Sequence, residues 1–174
     1  LDLIVEWSAG ARTALDVATG GGHVARRLRE SGVQVVTTDA APGMEPDVIC
    51  RSEKLPFADS SFDVVACRVA AHHFDDVALA VREMARVSSQ LVLISDNLYG
   101  GEELEQAEKL RDPSHVRNHT EHEWRAFLEG AGARVDHVET IRHPIELEPW
   151  LRRAGCPPIA SRSSRPPARA ATCW

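Results

Sequence analysis

The sequence predicts an α/β fold: a doubly wound, Rossmann-like, mostly parallel sheet. Three observations predict it. Strand-like and helix-like patterns alternate through most of the chain. The first strand-like run, "TALDVA", enters the glycine-rich turn "TGGGHVA". A second, β-branched run, "VQVVTTD", ends in Asp39, about twenty residues after the glycines.

Each element has its own signal. "GHVARRLRESG" reads as a helix with Val24 and Leu28 on one face and Gly32 as its stop. "DVIC" is a short strand candidate, reached from Asp39 through only "AAPGMEPD". A parallel crossover usually takes a dozen residues or more. Extended, this linker reaches about 26 Å at ~3.3 Å per residue, enough to return along a short strand. The alternative is that "DVIC" lies outside the sheet. "SFDVVACRV" is a buried strand after the turn "ADSS". "DDVALAVREMARV" is a helix capped by Asp75 or Asp76, with Val77, Val81, Met84 and Val87 at helical spacing. "QLVLISDN" is a strand, and "GEELEQAEKLRD" a charged helix whose run "EELEQAE" reads as a solvated face. "TEHEWRAFLEGAG" carries a capping box, Thr120 with Glu123, and an apolar stripe of Trp124, Phe127, Leu128 and Ala131. "RVDHVETI" is expected to be a last strand.

The 174 residues carry a formal charge of −6, which lacks the basic footprint of a nucleic-acid binder. No apolar run is long enough to span a membrane. Cys50, Cys67, Cys156 and Cys173 form no C-x-x-C pair, and a reducing cytosol is the expected compartment. "LDLIVEWSAG" is too short and lacks the basic start of a signal peptide. The chain opens on Leu1, so residues are expected before it. Residues 155–174 have no hydrophobic periodicity and are expected to be a disordered tail after a domain spanning 1–154.

Ligands of doubly wound sheets sit at the carboxyl ends of the strands. Glycines there remove the Cβ atoms that would block a ligand. Gly20, Gly22 and Ala25 fit G-x-G-x-x-A, and Asp39 stands where an acidic residue binds ribose hydroxyls. On these residues alone a nicotinamide-binding domain stays open, as does a plain tight turn.

"DVATGGGHVA" resembles motif I of class I S-adenosylmethionine-dependent methyltransferases. "EKLPFADSSFDVVACRVAAHHF" is similar to the family's run from third to fourth strand. "RDPSHVRNHTEHEWRAFLEGAG" is similar to the stretch after the fifth strand in the subset related to ubiquinone and menaquinone biosynthesis methyltransferases, the type 11 domains. The resemblance implies a cofactor, S-adenosyl-L-methionine. Asp16, Ala18, Thr19, Gly20 and Gly22 would wrap its methionine part. Asp39, followed by Ala40, would bind the ribose. Ser52 and Glu53 would line the adenine, and Arg68 would approach through its backbone.

Four departures from the family accompany the likeness. Arg51 replaces an Asp that meets the adenine amino group. The helix after the second strand is missing. "SSQ" replaces the usual turn before the fifth strand. The N-terminal lid helices and the last antiparallel strand are expected to be absent.

A sulfonium methyl is already activated, so such an enzyme mainly aligns its acceptor and excludes water. A base helps where the acceptor is a hydroxyl or an acidic carbon. His72 and His73 are the candidate catalytic bases; the alternative is a pair that packs the loop. His115 and Arg117 are candidate substrate contacts, or parts of a solvated loop. His119, His122 and Glu123 lack a metal-site spacing, so no metal is expected. The expected function is methyl transfer to a carbon or oxygen of a small molecule. A nicotinamide-dependent oxidoreductase, or a truncated non-catalytic domain whose open sheet edge pairs into a homodimer, is the alternative.

Overall fold

The computed structural model describes residues 1–144 and 172–173. One five-stranded sheet comprises β1 Thr13–Val17, β2 Gln34–Asp39, β3 Val48–Ile49, β4 Phe62–Arg68 and β5 Ser88–Ser95. Its strands are all parallel, in the order β3-β2-β1-β4-β5. The helices are α1 Asp2–Trp7, α2 His23–Glu30, α3 Val77–Val87, α4 Glu102–Arg111 and α5 Glu121–Gly130. The winding reverses between β1 and β4, which opens a crevice at their carboxyl ends.

Strand alternation divides the core. Leu15, Val17, Val65 and Cys67 pack on one face with Val81, Met84 and Val87 of α3. Ala14, Val64 and Ala66 pack on the other with Val24 and Leu28 of α2. Trp124, Phe127 and Leu128 of α5, with Ala131 at its C-cap, cover the first cluster, as their stripe predicts. Asp76 is the cap of α3, accepting from Leu79 N at 2.8 Å. The capping box of Thr120 and Glu123 is present.

The short return from β2 succeeds without an α-helix. A 3₁₀ turn, Pro42–Met44, reverses the chain, and Val48–Ile49 pairs with Thr38 and Asp39. Asp47 pins the return: its carboxylate accepts from Thr37 N and Oγ1 at 2.9 and 2.8 Å. Arg86 holds the "LPF" loop, donating to Leu55 O, Phe57 O and the Asp59 carboxylate.

Two expectations are overturned. Residues 134–141 are not a strand. They border a cleft of about 1090 Å³ that also runs along β5, and among the described residues no strand pairs with them. The acidic run of α4 is not wholly solvated: Glu105 and Glu108 are buried. Arg111 pairs with Glu108 at 2.8 Å, and Glu105 meets a buried histidine.

His143–Pro144 pairs antiparallel with Thr172–Cys173, apart from the main sheet. The division at residue 154 and the expected disorder of the tail otherwise lie outside the described residues. α1 lies beside α2, where Asp2 pairs with Arg27 at 2.9 Å.

Candidate active site

The glycine turn is built by carboxylates gripping backbone. Asp16 is buried at the end of β1, where its Oδ2 accepts from Thr19 Oγ1 at 2.6 Å and Ala25 N at 3.0 Å. Burial pushes its pKa above the ordinary carboxylate value, against the pull of those hydrogen bonds. Asp39 Oδ2 accepts from Gly20 N at 3.0 Å, and Oδ1 accepts from Ala41 N at 2.9 Å. Four acceptor sites on a carboxylate leave room for further donors.

Gly20 and Gly22 have φ of +49° and +70°, and a Cβ on either would meet nothing within 4 Å. The turn therefore presents open backbone, as a ligand cradle requires. A cavity of about 160 Å³ lies against it, walled by Asp16, Ala18, Thr19, Gly20, Arg68 and Val69. Arg68 and Val69 also border the larger cleft beside β5. Val69 has φ of +50°, a left-handed conformation unusual for a β-branched residue. Its N–H donates to Ser95 O at 2.7 Å.

Ser52 is buried and Ala40 exposed. Glu53 Oε1 accepts from Asp75 N and Asp76 N, and from Arg51 at 3.2 Å. Arg51, which departs from the family pattern, also pairs with Asp75 at 2.5 Å.

The second half of the site forms where β4 and β5 end. His72 and His73 lie in a 3₁₀ turn, Ala71–His73, their ring centroids 4.1 Å apart. Asp96, just past β5, grips His72 twice: Oδ1 lies 2.6 Å from Nδ1, and Oδ2 accepts from His72 N at 2.9 Å. The His72 carbonyl accepts from Val116 N and Arg117 N, drawing residues 112–119 over the turn. His115 is buried 5.3 Å from the His72 ring, its Nε2 3.2 Å from Glu105. Glu105 also accepts from Asn118 N. Arg117 is exposed and pairs with Glu123 at 2.5 Å. Among the described residues, two occluded polar atoms lack a partner, Asn118 Oδ1 and His119 Nδ1. Burial lowers the pKa of His119.

Thus Asp16, Ala18, Thr19, Gly20, Gly22, Asp39 and Arg68 converge on one edge of β1, β2 and β4. His72, His73 and His115 form a second cluster beside it. The sequence analysis missed Asp96, Val69 and Glu105. Asp96 had a usable signal, since "ISDN" ends a strand at the ligand edge. Glu105 had none. No group of three or more metal-ligating side chains occurs among the described residues.

Comparison with known proteins agrees with this geometry. Residues 15–91 match a family model described as a methyltransferase domain. The uncharacterized methyltransferase YcgJ of Bacillus subtilis is 33% identical over 166 residues, covering 82% of this chain and 65% of YcgJ. The crystal structure of YcgJ superposes with a TM-score of 0.80 at 31% identity, over 90% of this chain and 77% of that one. Protein BH2331 of Bacillus halodurans C-125 gives 0.82 at 30% identity, over 90% and 78%. A demethylmenaquinone methyltransferase of Corynebacterium urealyticum is 37% identical over 82 residues, 42% of this chain and 36% of that enzyme. The chain belongs to the methyltransferase domain family and has the class I methyltransferase fold. It spans slightly under two thirds of the full length of curated YcgJ. The oxidoreductase alternative finds no support among these relatives.

Proposed function

We propose that the chain is an S-adenosylmethionine-dependent methyltransferase acting on a carbon or oxygen of a small molecule. The observation that carries this reading is the open glycine turn, clasped to Asp39 and fronting a cavity whose wall includes Arg68 and Val69. When bound, S-adenosylmethionine would supply an activated methyl whose S–C bonding pair stays with sulfur.

The chain's own residues bind and orient. Gly20 and Gly22 let backbone approach the methionine part, with Ala18 and Thr19 completing the wall. Asp16 holds the turn through Thr19 and Ala25. Asp39 would accept both ribose hydroxyls through its remaining lone pairs. Ser52 and Glu53 would flank the adenine, with Ala40 beside the ribose. His72 or His73 would take a proton from the acceptor, and residues 112–119 would keep water out. Arg117 would meet an anionic group on the acceptor; His115, expected beside it as an acceptor contact, is instead buried against Glu105 and would support the loop. The relatives that methylate demethylmenaquinone make a quinone-like acceptor the first to try.

No helix among the described residues is long and apolar enough to cross a membrane. We place the chain in the cytosol, its Cys50 and Cys67 as free thiols. Among the described residues β5 pairs only with β4, and this open edge would support a homodimer.

Calorimetric titration of the purified chain with S-adenosylhomocysteine, with NAD as control, tests the reading. Binding of the first alone supports it. Binding of neither leaves a methyltransferase fold without its chemistry, and binding of NAD alone overturns it.

A further inference from the structure

We infer that Asp96 makes His72, rather than His73 or His115, the proton acceptor of the site, so that the molecule methylated is one that gives up a proton: an ionisable hydroxyl or an activated C–H. The inference rests on the methyltransferase reading and deepens it.

Three histidine rings meet at the ends of β4 and β5, and their partners differ. His73 is held by neutral partners: its Nδ1 lies 3.0 Å from Ser114 O and 3.1 Å from Ser114 Oγ, while its Nε2 stands 4.0 Å from the Asp112 carboxylate, beyond hydrogen-bond reach. A neutral carbonyl or hydroxyl stabilises the imidazolium that a base becomes less than a directly bonded carboxylate does. His115 turns Nε2 to Glu105 at 3.2 Å, with the two side chains 2% and 6% exposed. That nitrogen must carry a hydrogen. Both rings anchor residues 112–119 to the turn and to α4.

His72 is arranged otherwise. Asp96 Oδ1 lies 2.6 Å from Nδ1, so Nδ1 carries a hydrogen, and in the neutral ring the lone pair is then on Nε2. Asp96 cannot swing away without losing two further bonds, from His72 N to Oδ2 and from Asn97 N to Oδ1. The His72 Nε2 makes no hydrogen bond among the described residues, and it is not one of the occluded, unpaired atoms. An imidazole whose one nitrogen is held by a buried carboxylate and whose other is unengaged is the arrangement of an oriented base. Asp96 also borders the cleft along β5, whose lining shares Arg68 and Val69 with the glycine-turn cavity. Among the described residues, the charged and titratable groups around the His72–Asp96 pair include His73 in the same turn, His115 from the loop with Glu105 of α4 behind it, Cys67 of β4 and His119.

The proton passes from the acceptor's O–H or C–H to the Nε2 lone pair. The electron pair it leaves behind becomes the new bond to the methyl carbon. Asp96 stabilises the imidazolium until water removes the proton. His72 is then the catalytic base and Asp96 a positioning residue.

Long-range ¹⁵N–¹H spectra of the full chain, labelled at histidine and assigned with His72→Gln, read the tautomer directly. His72 should show hydrogen on Nδ1 and a bare Nε2. Asp96→Asn offers one acceptor oxygen where two are in use, so the single tautomer should give way to a mixture; His73→Gln should preserve it. Hydrogen on Nε2 in the wild type, or an unaltered tautomer in Asp96→Asn, overturns the inference. In methyl transfer to 1,4-naphthohydroquinone, Asp96→Asn should lower kcat at least about tenfold with KM within about twofold, and His72→Gln about 100-fold. Asp96→Glu should recover part of the loss. A change in KM alone overturns the positioning role. The tautomer reads out without bound ligand. Failure to bind S-adenosylhomocysteine would therefore sink the methyltransferase reading, and His72's role in it, while leaving the Asp96-fixed tautomer standing.

Discussion

The two halves of the ligand edge are made of different materials. Beside β1 and β2 the surface is backbone: a turn with left-handed glycines, clasped by Asp16 and Asp39. Beside β4 and β5 it is side chains: His72 on Asp96, His115 on Glu105, His73 on Ser114. A backbone surface is read from spacing, because only small residues permit it. A side-chain surface depends on partners that meet only after folding. Its buried charges also couple it to stability, whereas the exposed glycine turn is expected to couple to ligand affinity.

The largest effect that would break this contrast is on stability. Glu105→Ala leaves His115 and Asn118 N without their buried acceptor, and should cost about 3 kcal/mol. The melting temperature should fall by about 9 °C. The exposed neighbour substitution Glu103→Ala should cost under about 0.5 kcal/mol. Equal effects in thermal melts would mean that the cluster is no more stabilising than a solvated face.

Asp39→Ala should act the other way, on affinity. Loss of two charge-assisted hydrogen bonds at about 1.5 kcal/mol each corresponds to roughly 100-fold weaker binding of S-adenosylhomocysteine. Calorimetry measures it, and unchanged affinity would sink the ribose assignment.

Val69 stands where the two halves meet. Left-handed backbone costs a β-branched residue about 1–2 kcal/mol. Glycine recovers that, less about 0.5–1 kcal/mol of chain entropy. Val69→Gly should therefore raise stability by about 0.5 kcal/mol in urea unfolding. A fall would mean that the exposed side chain packs more tightly than its position suggests.

The smallest expected effect is a pH dependence on the backbone-built side. Hydrogen bonds from Thr37 hold Asp47 below its ordinary pKa of 3.8. A depressed carboxylate stabilises the fold above its unfolded pKa and loses that contribution as pH falls through the folded value. Stability should decline below about pH 4, and Asp47→Asn should flatten part of that decline. Because Asp47 is half exposed, the change should be a fraction of a kcal/mol. Denaturant midpoints between pH 3 and pH 6 would show it; a steeper decline in the variant would reverse the assigned sign.

Much of the molecule was legible as pattern. "TALDVA" and "SFDVVACRV" become β1 and β4 because runs buried on both faces have few other places to go, and the β-branched "VQVVTTD" becomes the more exposed β2. Thr120 and Glu123 cap α5 through local bonds that need no distant partner. The glycine turn and Asp39 were legible for the same reason, since their geometry is local or fixed by one strand pairing. "RVDHVETI" misled because a strand is defined by its neighbour, and across from residues 134–141 there is a cleft. Glu105 misled because a carboxylate in an acidic run looks solvated until a histidine ten positions away is folded onto it.

The sequence by itself determined the alternating elements, the caps and the glycine turn, since propensity, periodicity and steric permission act between residues close in the chain. Only the tertiary structure decided which histidine is gripped by Asp96, which glutamates of α4 are buried, and that Val69 lines two cavities. Those outcomes depend on long-range packing that brings the ends of β4 and β5, α4 and residues 112–119 together, and no local pattern encodes which atoms will meet there.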